Sequence, residues 1–237
     1  MADRWADTHR KDSWRKKAKN LGYRARSAFK LKQIQEKFNV IREGDCVLDV
    51  GCHPGGWSQV SLEFTGKDGL VVGVDLEPCE PVEGCIFVVG DITEKETQKK
   101  TMGYFSERDI NSIVSDISPN LTGNWSRDQM ISLQLVASVL DFSLPILCPG
   151  GNFVTKIFQG EGIENLINLV KPRFSNVKRF SPDASRNSSS EVYLVCKNHI
   201  PWKNSGKSIL SEFNKLYLLE NDEEETFAKG FRLHKAK

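Results

Sequence analysis

Apolar positions along this chain fall in short blocks whose period changes as the chain proceeds. Residues 46–50 (CVLDV), 70–75 (LVVGVD), 86–90 (IFVVG), 110–116 (INSIVSD) and 151–158 (GNFVTKIF) are compact apolar runs rich in Val and Ile. That pattern predicts strands covered on both faces. Segments between them carry the helical period. In RSAFKLKQIQEKFNV, Ala28, Leu31, Ile34, Gln35 and Phe38 recur at helical spacing, with Ser27 placed as an N-cap. Further helices are predicted from about residue 57, over about 128–146 and over about 162–172. Strands alternating with helices imply an α/β fold: a mostly parallel sheet with helices on both faces.

The pattern changes near the end of the chain. NVKRFSP (176–182) and EVYLVCKN (191–198) are separated only by DASRNSSS, too short for a helical crossover, which predicts an antiparallel hairpin. SILSEFNKLYLLE (208–220) reads as a short amphipathic helix, and the charged stretch after it has little to bury. The expected organisation is a basic arm over 1–21, one α/β domain carrying the chemistry over 22–200, and a helix with a charged tail over 201–237. A chain of 237 residues with 39% hydrophobic content suits one sizeable core. Neither a run of about 18 apolar residues nor an apolar secretory stretch at the start is evident, so no membrane partner is expected. The expected location is the cytoplasm, or the nucleus.

Charge sharpens this picture, because the net +2 hides an asymmetry. Residues 1–32 hold eleven Lys or Arg against three Asp, a local +8, leaving −6 for the rest. Trp5, Trp14 and Tyr23 are interleaved with those cations. Cations that meet phosphates and rings that stack on bases suit a nucleic acid, whereas a solvated tail is the bland alternative. The six cysteines form no C-x-x-C pair and several lie inside apolar runs, so reduced structural thiols are expected and a metal site is not. Asn120, Asn124 and Asn187 start N-x-S/T triplets, which carry no weight without secretion.

Candidate chemistry centres on VLDVGCHPGGW (47–57), a strand followed by a bend almost without side chains. Such a bend lets a ligand touch bare backbone. A phosphate-cradling P-loop needs Lys and Ser/Thr after its last glycine, and Trp57 follows Gly56 instead. A dinucleotide fingerprint needs a glycine where His53 stands. His53 itself has no visible serine or cysteine partner and is taken as a surface or packing residue. A nucleoside without phosphates fits better. Asp75 ends one strand, where a carboxylate can accept from both ribose hydroxyls, and Asp91 ends the next, where it can accept from an adenine amino group. Either acid alone could simply start a loop or cap a helix. Two strand-end acids beside one ligand repel a diphosphate but suit S-adenosylmethionine, whose sulfonium and ammonium are positive. Its carboxylate can rest on the turn and on the helix N-terminus that follows.

At these residues the chain resembles the FtsJ-type RNA 2′-O-methyltransferases, above all their ribosomal RNA members. The resemblance runs from about Gly22 to Lys197, through GYRARSAFKL, PGGWSQ, VDLEP, GDI, VSDISPN, LCPGGNFVTKIFQGEG and DASRNSSSEVYLV. It implies a Rossmann-like methyltransferase fold of seven strands, the last antiparallel, and a Lys-Asp-Lys-Glu tetrad that falls on Lys30, Asp116, Lys156 and Glu191. It implies cofactor contacts at Gly55, Gly56, Trp57, Asp75, Asp91 and Asp116. The implied substrate is RNA, a uridine of large-subunit ribosomal RNA first, a tRNA anticodon loop second; the enzyme is expected to act as a monomer without metal. A ribosome-assembly factor that keeps the fold without turnover, or a nicotinamide dehydrogenase, are the readings from other classes.

Those residues make chemical sense in those roles. Methyl transfer to a ribose hydroxyl is an in-line displacement in which the nucleophile must lose a proton. A lysine takes that proton only as a neutral amine, which burial and nearby positive charge favour and nearby carboxylates oppose. Lys156 therefore either removes the proton or stabilises the developing alkoxide, with the base role favoured. Lys156 lies inside the apolar strand NFVTKIF, where an unpaired ammonium is expensive, which singles it out. Taken singly, Lys30 could contact phosphate, Asp116 could serve a turn, and Glu191 could face solvent.

Overall fold

The computed structural model describes residues 13–120, 122–185, 190–203 and 206–218. Seven strands form one sheet: β1 (Cys46–Val50), β2 (Leu70–Asp75), β3 (Cys85–Val89), β4 (Ile110–Ser115), β5 (Leu147–Phe158), β6 (Phe174–Phe180) and β7 (Glu191–His199). Their spatial order is β3-β2-β1-β4-β5-β7-β6. β1 to β5 run parallel, and β7 inserts antiparallel between β5 and β6. The mostly parallel sheet with its antiparallel last strand is as expected, and so is the closing hairpin.

Helices cover both faces. The first, α1, occupies 13–20. α2 (Ala28–Phe38) and α3 (Gly56–Thr65) follow, then α4 (Lys95–Gly103), α5 (Trp125–Ile146), α6 (Ile163–Val170) and α7 (Ile209–Leu218). One core layer joins α2 and α3 to Val47, Val71, Val114, Val154 and Val195; the opposite layer joins α5, α6 and α7 to Leu48, Val72, Ile113, Phe153 and Leu194. Alternate residues of a strand point to opposite faces, which is why the inner strands β1 and β2 are apolar almost throughout, while the edge strand β6 is largely polar and exposed.

Several expectations change in detail. Ser27 precedes α2 in helical conformation and its side chain makes no capping bond; backbone bonds from Ala28 and Phe29 to Ala25 and Arg26 already wind the turn before it. α4 went unforeseen because KETQKKTMG is polar on nearly every side, with only Thr97 and Thr101 buried. α5 starts at Trp125, three residues before the expected start, because Asn124 caps it by accepting from the Arg127 N–H at 3.2 Å. α5 holds no unbroken run of 18 apolar residues, yet an 18-residue window within it reaches a mean hydropathy of 1.4, which by length and composition alone is enough to cross a membrane. Its apolar face, including Leu133, Val136, Leu140 and Leu144, lies in the core instead.

Candidate active site

Chain order sets the geometry. From β1 the chain steps outward to β2 and β3, then returns to β4 on the other side of β1. The crevice at that reversal, outside the carboxyl ends of the strands, is where open α/β sheets hold ligands. The Gly51–Gly56 turn leaves β1 there, and Asp116 follows β4 beside it. Gly51 (φ +78) allows the approach: a Cβ would stand 2.7 Å from the Ile117 Cα.

Register brings the tetrad together. Ser115 pairs with Thr155 across β4 and β5, so the next residues, Asp116 and Lys156, lie side by side. Lys156 pairs with Tyr193 across β5 and β7, and Phe158 with Glu191. Lys156 Nζ donates to the Asp116 carbonyl oxygen at 2.7 Å and lies 3.3 Å from its carboxylate Oδ1. Lys30, reaching over from α2, pairs with Glu191 Oε2 at 2.9 Å. Both lysines are buried. All four expected tetrad residues thus meet in one cluster.

A fifth residue holds the cluster together, and the sequence reading passed over it. Tyr193 is fully buried, donates from its hydroxyl to Asp116 Oδ1 at 2.7 Å, and lies under the Lys30 ammonium, 5.5 Å from its ring centre. Burial, reinforced by the Asp116 and Glu191 carboxylates, holds the Tyr193 phenol well above its ordinary value, so it stays a donor. Strand alternation was the available signal, since Tyr193 stands two residues after Glu191 and therefore on the same face.

The glycine turn carries its own bracing. Trp57 is buried, its indole N–H donating to the Ser27 carbonyl at 2.9 Å and its ring 5.6 Å from that of Tyr193. With that side chain turned inward, the turn offers backbone at Trp57. Gly55 has φ +106, and its N–H bonds to Cys52. Arg24 donates to the carbonyls of Pro54, Glu80 and Pro81, clamping the turn to the loop after β2. Arg24, one of the cations of residues 1–32, thus braces the turn at a partly exposed position. The cis His53–Pro54 bond sits in the same turn, and exposed His53 contacts the Pro78 carbonyl through its ring.

The acids lie in a row on the other half of the crevice. Asp75 accepts from the backbone N–H groups of His53 and Glu77 at 2.9 and 3.0 Å. Asp91, two residues beyond β3, accepts from the Thr93 backbone and hydroxyl through Oδ1. Each carboxylate therefore also orders its own loop, the role the bland alternative assigned it. With strands about 4.8 Å apart, Asp75 at the end of β2 and Asp91 beyond β3 lie on one side of the chain reversal, and the tetrad, drawn from α2 and the ends of β4, β5 and β7, lies on the other. Asp49, also passed over, lies beneath the turn on β1. It is fully buried, accepts from the Ser58 hydroxyl at 2.7 Å, and its Oδ1 has no hydrogen-bond partner among the described residues. Burial, with the Asp116 and Asp75 charges nearby, raises its carboxyl to about 7. No group of three or more potential metal ligands occurs among the described residues.

A sheet of this order, its last strand antiparallel and its glycine turn at the chain reversal, defines the Rossmann-like methyltransferases. Comparison with known proteins narrows the class. The family model of FtsJ-like methyltransferases matches residues 23–199. Ribosomal RNA large subunit methyltransferase E of Methanocaldococcus jannaschii is 39% identical over 235 residues, covering 97% of this chain and 94% of that protein. The Archaeoglobus fulgidus protein of the same name is 44% identical over 188 residues, covering 79% and 96%. A Plasmodium falciparum crystal structure assigned as a ribosomal RNA methyltransferase superposes with a TM-score of 0.68 at 29% identity, covering 75% of this chain and 98% of that one. This chain belongs to the FtsJ-like methyltransferase family and is an RNA methyltransferase.

Proposed function

We propose that this protein moves a methyl group from S-adenosylmethionine to a ribose 2′-hydroxyl of large-subunit ribosomal RNA, on a uridine as the sequence resemblance implies. The observation that carries the reading is the meeting of Lys30, Asp116, Lys156 and Glu191 around Tyr193 at the carboxyl end of the sheet. The names of the archaeal relatives support ribosomal RNA as the substrate class.

The crevice suits the cofactor. Gly55 holds a conformation that side chains rarely adopt, so the turn presents backbone, and a Cβ there would stand 3.0 Å from Arg24 Nη1. Asp49 Oδ1 is a buried acceptor without a partner among the described residues. Asp75 and Asp91 would receive the ribose hydroxyls and adenine amine, Gly55, Gly56 and the Trp57 backbone the methionine part, and Asp116 the region between. When bound, S-adenosylmethionine supplies an electrophilic methyl group on a positively charged sulfur.

The chain's own residues manage the proton. Methylation replaces O–H by O–CH3, and in this reading Lys156 Nζ accepts the released proton. Asp116 holds that amine by two contacts. Tyr193 shares the same carboxylate oxygen, so Asp116 does not belong to Lys156 alone. Lys30 and Glu191 form the neighbouring pair and orient the hydroxyl, with the Lys30 charge favouring alkoxide character. Residues 22–200 would form the catalytic unit, with 1–21 capturing RNA and 201–237 appended to it.

The test is transfer of labelled methyl groups to large ribosomal subunits and to tRNA, with wild type and Lys156→Ala. We expect incorporation into the subunits by wild type alone, with cofactor binding by the variant nearly intact. Labelling of tRNA instead would move the substrate to the runner-up, and normal turnover by Lys156→Ala would remove the base assignment.

A further inference from the structure

Three aromatic residues are markedly exposed among the described residues: Tyr104, Trp125 and Trp202. Tyr104 follows α4 and Trp202 follows β7, and both elements run away from the catalytic end of the sheet. Trp125 alone of the three stands at that end. It is 53% exposed and opens α5, immediately after the loop that leaves Asp116.

Its surroundings hold it still. Asp128 accepts from the Thr122 backbone and hydroxyl, both at 2.7 Å, and from the Gly123 N–H at 3.0 Å, which pins the loop before it. The indole leans on Phe158, ring centres 6.1 Å apart, and Phe158 is itself buried. Phe158 lies two residues beyond Lys156, about 7 Å along the strand, and pairs in register with Glu191. Gln129, one turn into α5, donates to the Glu161 carbonyl and so ties the loop after β5 to the same helix.

An exposed aromatic by itself carries no message. A large apolar ring, open on one side and braced on the other by Phe158, the register partner of Glu191, is a different case. Sequence-specific RNA recognition targets single-stranded or splayed-out nucleotides, and an unstacked base beside the ribose presented to Lys156 needs a new surface. A ring whose orientation is set beforehand supplies that surface at little entropic cost.

We propose that Trp125 is a stacking platform for an unstacked nucleobase lying within one nucleotide of the methylated ribose. This rests on the RNA-methylating reading above. Stacking depends on the base and little on salt, which separates Trp125 from the cations of α1.

The experiment is a binding cycle. Full-length wild type and Trp125→Leu, which keeps an apolar contact with Phe158, are titrated with a fluorescein-labelled oligouridylate and with an abasic strand of equal length. Removing the ring should weaken oligouridylate binding by about tenfold, leave abasic binding within twofold, and leave the salt slope and the S-adenosylmethionine-induced thermal shift unchanged. With ribosomal RNA, KM should rise while kcat falls much less, and Trp125→Phe should restore most of the loss. Equal weakening on both strands, or none on either, overturns the platform. Failure of wild type to methylate ribosomal RNA would count against the proposed function alone, because the binding cycle reads stacking without turnover.

Discussion

Asp49 shows how one buried group ties stability to pH. The folded carboxyl keeps its proton up to about 7, whereas the unfolded chain releases it near its ordinary 3.8. Between those values the folded protein holds one more proton than the unfolded chain. The stabilisation from burying a neutral carboxyl is therefore complete below about pH 4 and is lost as pH rises through 7, amounting to about 4 kcal/mol. Asp49→Asn should abolish that dependence while keeping the shape. In urea unfolding, the stability of the variant relative to wild type should climb from pH 4 to pH 8, and a constant difference would remove the assignment. Ser58 donates to one oxygen, and the other has no partner among the described residues, so the buried acid is met by a single side-chain donor there.

At the scale of elements, the glycine turn and the loop after β2 are held together by a residue from neither. Arg24, between α1 and α2, reaches three carbonyls on the two segments. Hydrogen bonds from a charged donor contribute about 1.5–3 kcal/mol when buried, and less at this partly exposed position. Arg24→Ala should therefore cost about 1–3 kcal/mol in stability and weaken cofactor binding by about tenfold, since the crevice is no longer held in shape. Thermal melts with and without S-adenosylmethionine check both, and an unchanged cofactor-induced shift would make the brace irrelevant to binding. α1 belongs to the same account. Trp14 packs on Phe29 at 4.9 Å between ring centres, Ala18 and Ala184 fill the same small cluster, and Lys17 lies over both rings. The helix is thereby seated on the element that carries Lys30.

For the whole molecule, that seating decides where the basic charge lies. Of the cations counted in the arm, Lys30 pairs with Glu191, Lys32 with Glu63, and Arg24 braces the turn. Those contribute to architecture before any RNA arrives. Arg15, Lys16 and Lys19 remain exposed on α1, near the tetrad's own helix, while Arg4, Arg10 and Lys11 lie outside the described residues. Binding to ribosomal RNA should therefore weaken steeply with salt, and replacing Arg15, Lys16 and Lys19 by Gln should make the slope of log K against log salt shallower by about 2–3. An unchanged slope would show that α1 does not meet the phosphates.

Local pattern was enough for the parallel strands, their helices and the closing hairpin, because burial on both faces forces unbroken apolar runs and a short connection forbids a crossover. It was enough to single out Lys156, an amine inside an apolar strand, and Asp75, at a strand's end. It could not find α4, whose polar surface carries no period, or assign Arg24, whose three partners lie 30 to 57 residues away. Strand order and register decided the rest. They brought Asp116, Lys156 and Glu191 from segments far apart in the chain to one point, set Tyr193 between them, and left Trp125 open at the rim. A side chain's chemistry is written in its residue type, but its partners depend on which strands become neighbours, and only the folded sheet sets that.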